Sequence, residues 1–140
     1  MKQFIHDFKE NKFFKLYVIF FSLINLIYTY FGISKSLYIQ KYSLRGTIEK
    51  YQFEHLSNIS KITNLLESLI ILIYLVYLIK VIIKKDKMNI KHFLIFNFGF
   101  IMVLTSINYL VSVVFSVPFW PLTLLFYTPL TITLIFLIYF

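Results

Sequence analysis

The stretch that decides the fold is residues 93–117, FLIFNFGFIMVLTSINYLVSVVFSV. It contains 25 consecutive residues without a charge. About 20 mostly apolar residues suffice to cross a bilayer. Inside lipid a backbone must satisfy its own hydrogen bonds, so such a run is a helix.

Working outward, the same signature recurs. The run Leu122–Tyr139 is uncharged. It is separated from 93–117 only by Pro118-Phe119-Trp120-Pro121, where two prolines end helices and Trp120 suits a membrane interface. So short a link makes the two runs antiparallel neighbours. Upstream, Leu16–Ile33 is uncharged, and Ile62–Ile83 carries only Glu67 and Lys80. Lys80 lies near an end, where its amine can reach the headgroups. The first run follows four lysines, as a secretory leader would, but it is long and lacks a small-x-small cleavage pattern, so it reads as a retained anchor.

The sequence therefore predicts an all-α integral membrane protein of one domain, an antiparallel bundle of four transmembrane helices. The spans are about 16–33, 62–83, 93–117 and 122–139. Composition agrees: of 140 residues 59% are apolar, 21% aromatic and only 14% charged. That balance excludes a disordered chain and an ordinary soluble enzyme. The net charge of +8 reads as flanking lysines rather than as a nucleic-acid surface. Lysines 2, 9, 12, 15, 80, 84, 85, 87 and 91 fall on one side of the membrane; Lys35, Lys41, Arg45, Lys50 and Lys61 fall on the other. The excess on the first side places both termini in the cytoplasm, in a bacterial-type plasma membrane. Lys84, Lys85 and Lys87 are the candidate contacts to lipid headgroups.

Residues 34–61 form the one sizeable extramembrane piece, an outer loop. Ile48, Tyr51, His55, Ile59 and Ile62 recur there at helical spacing, and Thr47 after Gly46 is a plausible N-cap. A helix is expected from about 47. It either continues into the second span or lies on the outer surface.

Each span carries a polar face: Ser22, Asn25 and Thr29; Asn64, Glu67 and Tyr74; Asn97, Thr105, Asn108 and Ser112; Thr123, Tyr127 and Thr131. These faces are expected to point into the bundle. With the termini inside, most of these groups lie in the outer half. Glu67, Asn64, Asn108, Ser112, Thr123 and Tyr127 are accordingly the candidate lining of an outward-opening cleft. Alanine is absent and glycine occurs three times, so Ser and Thr are expected to supply close helix packing.

Catalytic constellations are missing. Cysteine is absent, and the three histidines, His6, His55 and His92, stand at no metal-ligand spacing. No enzyme activity, cofactor or metal is expected. The functional expectation is a small membrane protein that acts by binding a membrane-protein or peptide partner. An accessory subunit of a membrane complex, or an immunity protein against a membrane-active toxin, has this character. The alternative is an oligomeric transporter of a small solute or cation that uses Glu67.

Overall fold

The computed structural model describes residues 11–43, 49–84 and 87–116, and all of its regular structure is α-helical. The helices are α1 (Lys12–Ser43), α2 (Lys50–Lys84) and α3 (Lys87–Phe115). Each is long and apolar enough to cross a membrane. The expected fourth span, its Pro-Phe-Trp-Pro turn, Gly46, Thr47 and Lys85 lie outside the described residues.

The helix starts are legible in local chemistry. Asn11 precedes α1, and its side-chain Oδ1 accepts the Phe14 N–H at 3.1 Å, one of the donors a helix start leaves unpaired. The same side chain donates through Nδ2 to Asn89 Oδ1 at 3.0 Å, which ties the start of α1 to the first turn of α3. Glu49 opens α2. Its carbonyl accepts the Gln52 and Phe53 amides, and the Gln52 side chain reaches back to the Glu49 N–H at 3.1 Å. That reach is one half of a capping box. At the far end of α3, Ser116 takes a left-handed conformation with φ 52°, and Gln40 Nε2 of α1 donates to its carbonyl at 3.0 Å.

α2 runs unbroken for 35 residues, about 52 Å at 1.5 Å per residue. Of the two courses open to the helix before the second span, the continuous one is taken. α1 likewise runs on past Ile33 to Ser43. The expected loop 34–61 is thus mostly two helix extensions around a short connection. A ring contact joins them: Tyr38 of α1 lies 4.8 Å from His55 of α2, centroid to centroid, and Tyr42 packs 4.5 Å from Tyr38 within α1. The sequence reading ended each helix at the edge of its apolar run, but continuing an existing helix costs no new nucleus.

α1 and α2 are antiparallel: Phe13 faces Lys80, Phe21 faces Tyr74, Tyr28 faces Glu67 and Tyr38 faces His55. α3 runs parallel to α1, with Asn11 beside Asn89, Tyr17 beside Asn97 and Gln40 beside Ser116. The core is aromatic and lies toward the lysine-rich end. Phe14, Tyr17 and Phe21 of α1 meet Tyr74 and Tyr77 of α2 and Phe93 of α3, all buried. Tyr17 stacks on Tyr77 at 4.4 Å, and Tyr74 and Phe93 are 5.2 Å apart. Thr29 and Thr63 are buried as well, but the large side chains of the core are rings rather than the Ser and Thr expected there. Stacked and tilted rings fill the space between the helices.

Lys80 also departs from expectation. Its amine sits 2.8 Å from the centre of the Phe13 ring and is buried, rather than extended into the headgroups. A cation held over an aromatic face is a recognised alternative to solvation.

Candidate functional site

The polar groups fall into two layers. The one near the lysine-rich helix ends is structural. The Tyr17 hydroxyl donates to Asn97 Oδ1 at 2.6 Å, and Asn97 Nδ2 donates to the Phe93 carbonyl one turn back at 2.7 Å. Asn97 is 1% exposed, so this pair binds α1 to α3 in the middle of the aromatic core. His92 is buried beside Phe14.

The other layer is centred on Glu67 of α2, about 7 Å in from the N-terminal end of its apolar run at 1.5 Å per residue. Its Oε1 accepts the hydroxyl of Tyr28 from α1. Asn25, one turn from Tyr28, has no solvent exposure; its Nδ2 donates to the Phe21 carbonyl at 2.8 Å, and its Oδ1 has no hydrogen-bond partner among the described residues. Thr29 and Asn108 are buried in the same part of the bundle, and the Thr105 hydroxyl is buried with no partner among the described residues. The register set by the Asn11–Asn89 and Tyr17–Asn97 pairs brings Thr105 and Asn108 of α3 level with Asn25 and Tyr28 of α1.

The candidate residues do not all share this place. Glu67 is half-buried, Asn108 is buried and Ser112 is half-buried, but Asn64 is exposed. So is Ser68, whose hydroxyl donates to the Asn64 carbonyl at 3.0 Å. The face Asn64–Glu67 was expected to turn inward. In the structure α2 is rotated so that Thr63, Ile70, Tyr74 and Tyr77 enter the bundle, and Asn64 and Ser68 lie on its outside edge with Glu67 between. The rotation follows the rings: Tyr74 and Tyr77 stack into the core, and at 100° per residue that swings Asn64 away. Thr123 and Tyr127 lie outside the described residues.

Tyr28 escaped the sequence reading altogether, while Asn25 and Thr105 were placed on the inward polar faces but not among the candidate cleft residues. Tyr28 sits beside the polar positions of α1, and only the antiparallel register of α1 and α2 sets it against Glu67. At the other end, Lys84 is exposed in the last turn of α2, and Lys87 opens α3. Among the described residues no three His, Cys, Asp or Glu side chains are placed to hold a metal ion.

No protein-family model matches the chain, and no curated protein or solved structure matches it at a significant level. The fold defines a class all the same: an all-helical protein whose three long apolar helices are compatible with a multi-pass membrane protein.

Proposed function

We propose that this chain is a small, non-enzymatic integral membrane protein that acts by binding a partner within the outer half of the bilayer. In this reading it has four spans, with 122–139 as the fourth, and both termini are cytoplasmic, next to the lysine-rich ends of α1, α2 and α3. The partner is a membrane protein or a membrane-active peptide, as for an accessory subunit or an immunity protein.

The observation that carries the reading is the edge of α2. Asn64 and Ser68 are exposed there beside a half-buried Glu67, on a helix otherwise lined outward by Leu65, Leu69, Leu72, Leu75 and Val76. Polar side chains are stable at such depth when another segment hydrogen-bonds to them. The transport alternative has less support, because stacked rings fill the inner half of the bundle.

Photo-crosslinking in native membranes tests the proposal. A benzoylphenylalanine at position 64 or 68 should give a discrete adduct with another protein, and one at Val76 or Ile79 should give only lipid adducts. Equal, diffuse labelling from all four positions would remove the proposal's basis. Topology is read separately: a reporter active only in the cytoplasm, fused after Phe140, should be active.

A further inference from the structure

The partner reading leaves open what the Asn64–Glu67–Ser68 edge recognises, and the geometry points to one chemistry. The edge binds a basic side chain, Lys or Arg, carried by a transmembrane helix of the partner. This inference rests on the partner reading above and adds the chemistry of recognition to it.

Three observations carry it. First, Glu67 is the single acidic residue within any apolar run of the chain. Second, Tyr28 engages Oε1 only, and the Glu67 side chain remains half-buried rather than enclosed. A carboxylate has acceptor sites on both oxygens, and one phenol hydroxyl occupies one of them. Third, among the described residues no cation is placed to complete the pair. Lys61 is six residues before Glu67 on α2, about 9 Å along the axis and on a different face. Lys35 stands seven residues beyond Tyr28 on α1, about 10 Å away. No Lys or Arg follows Lys91, so neither α3 beyond that point nor the run 122–139 can supply one. Among the described residues no ion pair involves Glu67.

Acidic groups within a span are found paired with cations or polar groups. The flanking amide of Asn64 adds an oxygen acceptor, and its carbonyl side suits an ammonium or guanidinium better than an anion or an apolar group. The same carboxylate disfavours a partner that presents an acid at this depth, so charge gives the edge specificity as well as affinity.

The test uses the full-length protein in phosphatidylcholine vesicles and two labelled probe peptides. Both are leucine helices of transmembrane length, and one carries a lysine at the depth of Glu67. Association is followed by energy transfer. The lysine peptide should associate about tenfold more tightly than the all-leucine peptide, the ratio expected for one buried polar pair between helices. Glu67→Gln should erase that difference while keeping an acceptor for the Tyr28 hydroxyl, and circular dichroism checks that the helices remain. Asn64→Leu, which alters only the exposed edge, should weaken the lysine peptide alone. Equal association of the two peptides, or a lysine preference that survives Glu67→Gln, overturns the inference. So does an efficient intramolecular disulfide between cysteines at 64 and 127, which would mean that the chain's own 122–139 segment covers the edge. Crosslinks from positions 64 and 68 with no lysine preference would sink the cation chemistry and leave the partner reading standing.

Discussion

Replacing Tyr17 with phenylalanine isolates one hydrogen bond in the core. The hydroxyl donates to Asn97 Oδ1 at 2.6 Å, with Tyr17 4% and Asn97 1% exposed. The ring itself stacks on Tyr77 at 4.4 Å and on Phe21 at 5.2 Å, and phenylalanine keeps both contacts. What is lost is the bond, and Asn97 Oδ1 is left buried without a donor. A buried acceptor left unpaired costs about 1–3 kcal/mol in proteins generally, and hydrogen bonds between membrane helices measure about 0.6–2 kcal/mol. The expected destabilisation is therefore about 1–2 kcal/mol. The assay is reversible unfolding in mixed micelles as the fraction of sodium dodecyl sulfate rises, followed by loss of tertiary signal. A double-mutant cycle with Asn97→Leu separates the bond from other effects, and a coupling of about 1 kcal/mol is expected. If Tyr17→Phe stays within about 0.3 kcal/mol of the parent and the coupling vanishes, water or lipid headgroups reach Asn97. A closed aromatic core at the lysine-rich end would then be ruled out.

Three further outcomes follow from the same geometry. Phe21→Ala empties a position 1% exposed between Tyr74 and Phe100 and should cost about 3 kcal/mol in the same titration. That is the low end of the usual range, because lipid supplies little transfer free energy between helices; no measurable loss would mean that the rings are loosely packed. Asn11→Ala removes both the cap on Phe14 and the tie to Asn89, with an expected cost of about 1–2 kcal/mol, and Asn11→Ser should restore the cap but not the tie. A cysteine at Lys61, exposed just before the apolar run, should react with a membrane-impermeant thiol reagent while one at Asn108 should stay inert. Equal reaction at both positions would mean that an aqueous cleft reaches the centre of the bundle.

How much of this was legible beforehand varies residue by residue. The three described helices were, because 18 or more apolar residues with few charges can only be helical in lipid. Their ends were not: Ser34–Ser43 and Lys50–Lys61 are polar enough to read as loop, yet they extend helices already formed. The polar face of α1 was read correctly as inward at Asn25 and Thr29, both buried. The face of α2 was not, since Asn64 is exposed.

Residue order alone sets the class of structure and its composition-driven limits: long apolar helices, clustered flanking lysines, one acid within an apolar run and no cation after Lys91. These follow from local rules of length, charge and backbone hydrogen bonding, which need no neighbour. Only the tertiary structure decided which residues meet. Tyr28 reaches Glu67, and Tyr17 reaches Asn97, through the register of one helix against another. That register is set by the interlocking of Phe14, Tyr17, Phe21, Tyr74, Tyr77 and Phe93. Helical periodicity says which residues share a face. It does not say which face a partner helix covers, because that depends on how large rings from three separate segments fill a common space.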